Sequence, residues 1–288
     1  MPELLKAAIL GTVQGLTEFL PVSSTGHLIF LEKALDVNQD TFGLTFDAAI
    51  HLGTLLSILV LLRQEILRLA TAWLGSLRPD ASRPGGLVRL LEGNADARLA
   101  WLIILGTAPA AILGVFLEST VEDAFRRPAL VASMHIAFSA VLVLAERLGS
   151  KRRSMAELGV LGALFIGVAQ AVALVPGVSR SGSTISAGLF AGLERRQAAI
   201  FAFLLSAPVI AGAGLKKVYD AFGEVRAGTL DAADLRFFAV GFVLSSLWGA
   251  VAIAFLLRYL QRGSLYVFVW YRVALGLAVL GVVAAKAG

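Results

Sequence analysis

Long apolar segments separated by short polar ones run along the whole chain. Six of these segments are long enough, or nearly so, to cross a membrane as helices. A hydrocarbon layer of about 30 Å takes roughly 20 helical residues. The six segments occupy residues 44–62, 98–117, 129–145, 197–215, 235–257 and 265–285. This pattern predicts an all-α, polytopic membrane protein with six transmembrane helices.

Two further apolar regions are interrupted by polar residues and do not fit a simple span. Residues 4–35 contain Pro21 and then the run Ser-Ser-Thr-Gly-His, which we call the first polar break (residues 23–27). Residues 156–193 contain Pro176-Gly177 and then Ser-Arg-Ser-Gly-Ser-Thr, the second polar break (residues 179–184). Proline and glycine let the chain turn, and a break at membrane depth needs cover from protein. We therefore expect two re-entrant helical hairpins.

The order of these segments repeats, because a hairpin followed by three spans occurs twice. Residues 14–21 (QGLTEFLP) also align with residues 170–176 (QAVALVP) with one gap. A hairpin returns to its own side and three is an odd number, so the second half must start on the opposite face. The sequence therefore predicts one membrane domain over residues 1–288, built as an inverted-topology repeat. Its halves are about 1–150 and 151–288, and its special site lies where the breaks meet.

Composition and charge support a membrane location. Charged residues make up 16% of the chain, against about 25% in a typical soluble domain, so lipid must be the solvent for much of the surface. Basic residues concentrate in segments that the predicted topology places on one side: 63–97, 146–155, 194–196 and 258–264. The positive-inside rule makes that side cytoplasmic. The net charge of +5 suits anionic lipid headgroups better than nucleic acid.

The two polar breaks have the chemistry of an anion site. Ser23, Ser24 and Thr25 are good N-cap residues for a second half-helix, and the hydroxyls of the second break open the helix predicted over 185–193. The N-terminus of a helix attracts phosphate through its free N–H groups and partial positive charge. Arg180 adds a guanidinium suited to bidentate phosphate binding. If the breaks converge, they form a phosphate site inside the membrane.

Glu18 and His27 add acid–base capacity beside the first break. Charged side chains at bilayer depth are costly, which makes them functional candidates. Glu18 could act as a base or hold a divalent cation, and the Gln14 amide one turn earlier could assist. The alternatives are structural: helix packing for the serines, a counter-ion to Glu18 for Arg180, and a helix cap for His27.

Three other polar residues in the apolar segments receive a structural interpretation. Asp47 and His51, four residues apart in the first span, are expected to be structural or to face the interior cavity. His135 is expected to pack among apolar neighbours. Cysteine is absent from the sequence, which excludes thiolate chemistry and disulfides.

Residues 14–27 (QGLTEFLPVSSTGH) and 176–184 (PGVSRSGST) resemble the two signature motifs of bacterial undecaprenyl-diphosphate phosphatases of the bacitracin-resistance type. The resemblance implies hydrolysis of undecaprenyl diphosphate to undecaprenyl phosphate and inorganic phosphate, which recycles the lipid carrier of cell-wall synthesis. It also implies a bacterial inner-membrane enzyme with its active site open to the outside, a divalent cation (Mg²⁺ or Ca²⁺) and a homodimer. The family has glutamate or glutamine at the first motif position, and this chain has Gln14.

The resemblance also implies roles for individual residues. The expected catalytic core is Glu18, Ser24, His27 and Arg180, with Glu18 as the metal ligand. The substrate contacts that the resemblance implies are Ser23, Thr25, Ser179 and Thr184. The chemistry of the breaks adds Gln14 and Ser181 to this set. The nucleophile stays open among Ser24, His27 and water. A lipid-phosphate flippase or transporter is the alternative function, because inverted repeats with broken helices are common in transporters.

Overall fold

The computed structural model describes residues 1–38, 42–77, 94–125, 127–227 and 232–287. These residues form α-helices, one short 3₁₀ turn at Met155–Glu157 and no β-strand. The helices are α1 (Glu3–Glu18), α2 (Ser24–Ala34), α3 (Leu44–Leu61), α4 (Arg63–Ser76), α5 (Ala95–Phe125), α6 (Pro128–Leu148), α7 (Val160–Val172), α8 (Arg180–Phe190), α9 (Arg195–Ala227), α10 (Ala232–Tyr259) and α11 (Tyr266–Ala287). The predicted all-α class is confirmed.

Five of the described helices, α5, α6, α9, α10 and α11, are each long and apolar enough to cross a membrane. The predicted span at 44–62 corresponds to α3, which meets the same criterion only together with α4, and these two helices bend by 80° at their junction. Large side chains on the outside of the spans remain apolar, such as Val115 (80% exposed) and Trp270 (72% exposed). A lipid environment explains this exposure, and the chain is a multi-pass membrane protein.

Several predicted boundaries are wrong. The predicted loop 63–97 begins instead with helix α4, whose polar first turn starts at Arg63 and ends the apolar run of α3. Two helices continue beyond the predicted spans 98–117 and 197–215, since α5 ends at Phe125 and α9 at Ala227. The helix predicted over 185–193 begins earlier, at Arg180, and ends at Phe190.

Both interrupted regions form helical hairpins that return to the side from which they start. In the first hairpin (α1 and α2), Lys6 Nζ near the start of α1 donates to the carbonyl of Asp36, just past α2, over 3.0 Å. In the second hairpin (α7 and α8), the segments before and after the hairpin pair through the backbone. The N–H groups of Arg152 and Arg153 both donate to the Gly192 carbonyl, at 3.0 and 2.9 Å.

Each hairpin packs against a span from the other half of the chain, and glycine permits the contact. Helix α1 crosses α10 at Gly11, where a Cβ atom would lie 2.7 Å from the Gly241 carbonyl oxygen. Helix α7 crosses α5 at Gly167, where a Cβ atom would overlap the backbone of Gly106. Small residues let membrane helices approach to backbone contact. The two crossings correspond in the proposed repeat, while the boundary between the halves near residue 150 stays a prediction.

The described parts of the four basic segments lie together at one end of the bundle, while Arg78, Arg83 and Arg89 lie outside the described residues. Glu146, 5% exposed, is paired with Arg195 and Lys151 and accepts from the backbone N–H of Leu265 at 3.1 Å. Arg98, at the start of α5, donates to the carbonyl of Ala156. The end of α6, the starts of α5 and α9 and the segments that precede α7 and α11 are thereby tied to one face, as the charge pattern predicts.

The topology can be tested by labelling, because the chain contains no cysteine. We expect Asp36→Cys and Arg127→Cys, exposed at one end of the bundle, to react with an impermeant thiol reagent on intact cells. Ser150→Cys and Gln261→Cys, exposed at the basic end, should react only after permeabilisation. Labelling of all four from one side would contradict the predicted orientation.

The glycine crossings give a second test. Gly167→Ala should destabilise the protein by about 1–3 kcal/mol, because the backbone of α5 cannot move aside as a side chain can. Gly212→Ala is the matched control, since nothing lies within 4 Å of its added Cβ and alanine favours a helix. The melting temperature in detergent reports the difference. Equal melting temperatures would mean that close approach at Gly167 is unimportant.

Candidate active site

The tips of the two hairpins have the same local conformation. Ser23 (φ 68°) and Ser179 (φ 80°) both have positive φ, which is uncommon outside glycine. Each serine is the N-cap of the following helix and accepts a hydrogen bond through its side chain, Ser23 from the Gly26 N–H and Ser179 from the Gly182 N–H. A non-glycine residue in this region costs about 1–3 kcal/mol and persists only where its surroundings hold it. The two equivalent tips are therefore constrained features.

The two tips touch each other inside the bundle. Ser181 Oγ on the second tip donates to the Leu20 carbonyl on the first tip over 2.8 Å. Arg180 Nη1 lies 3.4 Å from Glu18 Oε1, which joins the last residue of α1 to the first residue of α8. The N-termini of α2 and α8 therefore face the same small volume, and both offer partial positive charge to it.

Glu18 is the centre of this volume. Its side chain is buried and its two oxygens accept from three different donors. Gln14 Nε2 lies 3.0 Å from Oε2, and Ser24 Oγ lies 2.5 Å from the same oxygen. Arg180 approaches the other oxygen. A buried carboxylate with a neighbouring guanidinium is electrically paired, and its short hydrogen bond links it to a hydroxyl on a helix N-terminus.

A small polar cavity of about 30 Å³ opens beside these groups. Its polar lining consists of Glu18, Ser23, Ser24, Thr25, His51, Ser179 and Arg180. A second cavity of about 120 Å³ shares Thr25, His51, Ala173 and Arg180 with the first. Its other walls combine carboxylates with apolar side chains: Glu32, Asp47, Leu28, Ile29, Leu174, Pro176 and Ile210. The smaller cavity is therefore polar, and the larger cavity beside it is amphiphilic.

His27 is not among the residues that line either cavity. Its Nδ1 lies 2.7 Å from the carbonyl of Ser23, and its Nε2 lies 2.6 Å from the hydroxyl of Tyr271. The imidazole also stacks on the Tyr271 ring at 5.6 Å. A carbonyl can only accept, so Nδ1 carries the hydrogen, and Nε2 of the neutral ring accepts from the tyrosine. Both ring nitrogens are therefore engaged away from Glu18.

The predicted substrate contacts divide into two groups. Ser23, Thr25 and Ser179 line the small cavity, and Gln14 donates a hydrogen bond to Glu18, which lines it as well. Thr184 faces elsewhere.

Helix geometry explains the position of Thr184. Because α8 begins at Arg180, Thr184 lies one turn inside it and donates to the Arg180 and Ser181 carbonyls, at 2.8 and 3.3 Å. Ser181 joins the two tips and is likewise absent from the cavity linings. In this structure both hydroxyls donate to backbone carbonyls, and their role as substrate contacts stays a prediction.

Sequence reasoning missed two residues near the site, Tyr271 and Arg272, and left two interpretations open for Asp47 and His51. His51 lines both cavities, so the interior-facing interpretation of Asp47 and His51 is the one that fits. Tyr271 holds the imidazole of His27, and Arg272 lies fully buried behind both tips. Arg272 could have been found from sequence, because it is an arginine within the apolar segment 265–285.

His135 packs against the first tip, as expected. It is fully buried, and a Cβ atom on Gly26 would overlap its ring. Its ring also lies 5.9 Å from that of His27 and 5.8 Å from that of Phe30.

The oxygen atoms at the site suit a hard divalent cation, although the described residues contain no cluster of three histidine or acidic side chains that could hold a metal by itself. Glu18 supplies a carboxylate. Gln14 Oε1 is buried and has no hydrogen-bond partner among the described residues. Mg²⁺ is commonly held by one or two carboxylates together with substrate phosphates. Two protein oxygens therefore fit a cation that a phosphate-bearing ligand would complete.

Comparison with known proteins identifies the family. Residues 7–278 match the family described as Bacitracin resistance protein BacA. The chain is 48% identical over 278 residues to an undecaprenyl-diphosphatase of Rubrobacter xylanophilus, with 96% of each chain covered. It is 43% identical to one of Geobacter metallireducens and 44% identical to one of Thermomicrobium roseum, in both cases over 96% of this chain and 97% of the relative. The chain therefore belongs to the bacitracin resistance protein family.

Proposed function

We propose that this protein hydrolyses undecaprenyl diphosphate to undecaprenyl phosphate and inorganic phosphate. Relatives that match it over almost their whole length are named for this activity. The observation that carries the proposal at the site is the contact of 2.5 Å between Ser24 Oγ and Glu18 Oε2, beside the guanidinium of Arg180. A hydroxyl paired with a base and next to a cation is the arrangement that phosphoryl transfer to a serine requires.

The two cavities match the two parts of this substrate. The diphosphate end would bind at the small polar cavity, where hydroxyls, two helix N-termini and Arg180 meet. The prenyl chain fits the direction of the larger cavity, whose wall includes Leu28, Ile29 and Ile210. An apolar pocket with a few convergent polar groups is the usual form of a site for an amphiphilic ligand.

The residues support a two-step mechanism. Ser24 Oγ attacks the terminal phosphorus and transfers its proton to Glu18, while the bond from that phosphorus to the bridging oxygen breaks. Undecaprenyl phosphate leaves, and Arg180 stabilises the negative charge that grows on the phosphoryl oxygens. Water then attacks the phosphorus of the phosphoserine, the bond from that phosphorus to Ser24 Oγ breaks, and Glu18 returns its proton to Oγ. This step releases inorganic phosphate and regenerates the serine hydroxyl and the carboxylate.

His27 is less favourably placed to be the nucleophile. Its two nitrogens contact the Ser23 carbonyl and the Tyr271 hydroxyl, so an attack through the imidazole would first have to break one of these hydrogen bonds. In this structure its position supports the first tip, which carries Ser24. Its predicted catalytic role and direct attack by water both stay open to the experiment below.

A divalent cation is part of the proposal. Glu18 and the Gln14 amide oxygen would hold it together with the diphosphate, and it would neutralise phosphate charge. The predicted cation is Mg²⁺ or Ca²⁺, and the proposal holds for either ion.

We propose that the protein works in the bacterial cytoplasmic membrane with its site open to the outside. The basic end of the bundle is the cytoplasmic end by the positive-inside rule. The larger cavity is lined by Asp47, near the start of α3, and by Gly214, far from the start of α9 at Arg195. Both positions lie toward the other end of the bundle. The homodimer stays a prediction.

The proposed activity is tested by phosphate release. Purified protein in detergent, with Mg²⁺ and without any membrane or gradient, should release inorganic phosphate from undecaprenyl diphosphate. A chelator in excess should abolish the release, and added cation should restore it, because the cation is held largely by the substrate. A flippase would move the lipid in vesicles and release no phosphate, which is the outcome that would support the transporter alternative.

A second experiment concerns the nucleophile. Ser24→Ala should fold normally and lose turnover by at least about two orders of magnitude, the scale of a removed nucleophile or base. Acid-quenched wild-type protein should contain phosphoserine at position 24. Ser57→Ala is the matched control, since it removes another buried hydroxyl, one that donates to the Ser246 carbonyl and lines neither cavity. Its turnover should stay close to that of the wild type.

The remaining outcomes assign the chemistry elsewhere. If Ser24→Ala retains wild-type turnover while His27→Ala is inactive and phosphohistidine accumulates, the serine is only part of the helix N-terminus. If neither phosphorylated residue forms and both variants turn over, water attacks directly.

A further inference from the structure

Helix α11 contributes an arginine to the hairpin tips that the proposed mechanism does not use. Arg272 is fully buried although it lies within the span Tyr266–Lys286. Its guanidinium lies over the ring of Phe138 on α6, 5.6 Å from the ring centroid. None of the ion pairs found among the described residues includes Arg272. A buried charge at this depth costs free energy, and such residues are usually conserved for a function. Its contacts therefore indicate what Arg272 does.

The guanidinium donates to one backbone carbonyl on each tip. Nη1 lies 3.3 Å from the Pro21 carbonyl of the first tip, and Nη2 lies 2.7 Å from the Gly177 carbonyl of the second. Nε lies 3.3 Å from the His135 carbonyl on α6. A broken helix leaves carbonyls without partners, and inside a membrane only protein groups can satisfy them. Arg272 supplies partners for both breaks at once.

The two carbonyls that Arg272 contacts belong to residues equally far along the chain from the two charged residues of the site. Pro21 follows Glu18 by three residues, and Gly177 precedes Arg180 by three residues. The same guanidinium therefore connects the segment that carries the carboxylate to the segment that carries the phosphate-binding arginine. Gly177 has φ +94°, and a Cβ atom there would lie 2.6 Å from the Val131 carbonyl, so the second tip is also pressed against α6.

We propose that Arg272 is a positioning residue that sets the separation of the two hairpin tips and, through it, the placement of Arg180 against Glu18 and the substrate. The planar guanidinium offers fixed donors in several directions, which a single ammonium group cannot reproduce. A displacement of about 1 Å between reacting groups can reduce the rate by about 100-fold. This inference rests on the proposed hydrolysis, because its effect is measured in that reaction.

The first measurement uses Arg272→Lys, which keeps the charge and removes the planar fork. We expect kcat per folded molecule to fall by about 100-fold, with KM little changed, because misplacement acts mainly on the transition state. Gly276→Ala is the control for packing, since its added Cβ would lie 2.7 Å from Ile136 at the contact of α11 with α6 without touching either tip. It should lower the melting temperature and leave kcat nearly unchanged.

A double-mutant cycle separates positioning from a merely structural role. If Arg272 acts through Arg180, then Arg180→Lys combined with Arg272→Lys should be hardly slower than Arg180→Lys alone. Independent, multiplicative losses would contradict the proposal, as would an Arg272→Lys variant with wild-type kcat. Should Arg272→Lys not fold, Phe138→Leu keeps the arginine but removes the ring beneath it, and it should still lower kcat. Phe268→Leu makes the same truncation on α11 and should leave kcat unchanged. Equal kcat values for Phe138→Leu and Phe268→Leu would overturn the inference.

The same assay distinguishes a failure of the proposed hydrolysis from a failure of the proposed role of Arg272. Wild-type protein that releases no phosphate contradicts the proposed function itself. Wild-type hydrolysis together with a fully active Arg272→Lys variant contradicts only the role of Arg272.

Discussion

The structure depends on one constraint, which is that backbone polar groups inside a membrane must find partners within the protein. Two helices break at membrane depth, and each break exposes N–H and carbonyl groups that lipid cannot satisfy. The serine caps at Ser23 and Ser179 satisfy N–H groups within each hairpin. Carbonyls are satisfied across the interface, by Ser181 at Leu20 and by Arg272 at both tips. Neither hairpin tip is complete without the rest of the bundle.

This mutual dependence explains why the hairpins need a rigid frame. The glycine crossings at Gly11 and Gly167 bring α1 and α7 to backbone contact with spans from the opposite halves of the chain. Close-packed interiors have low compressibility, so they resist displacement of one packed element relative to another. A tip held by such a frame can maintain Ser23 and Ser179 at positive φ, and it can hold a hydroxyl against a carboxylate before any substrate enters.

Such pre-arrangement is what phosphoryl transfer demands. Charge moves onto phosphate oxygens during the reaction, and stabilisation is greatest when the positive groups are already in place. Glu18 has two roles in this arrangement. It accepts the hydrogen bond of Ser24, and it holds Arg180 near the cavity. Because Glu18 is buried and linked to Gln14 while Arg180 is only partly buried, the two opposite charges lie close together beside a small cavity.

The sequence alone determined the class of the protein and the identity of its polar breaks. Apolar run lengths, the two interruptions and the basic segments are local properties of the chain, so they predict spans, hairpins and the common face of four loops without knowledge of packing. Glu18, Ser24 and Arg180 could be selected because charged and hydroxyl groups stand out against apolar neighbours. The same criterion applied to Arg272 would have selected it as well.

Tertiary structure decided which of these groups face one another. The direction of a side chain depends on where its helix begins and on what packs behind it. Thr184 points into α8 because that helix starts at Arg180, and His27 turns to Tyr271 because α11 lies beside the first tip. Asp47 and His51 line a cavity only because α3 packs near the hairpins. Spacing along the chain contains no information about these contacts, since the residues that make them come from different helices.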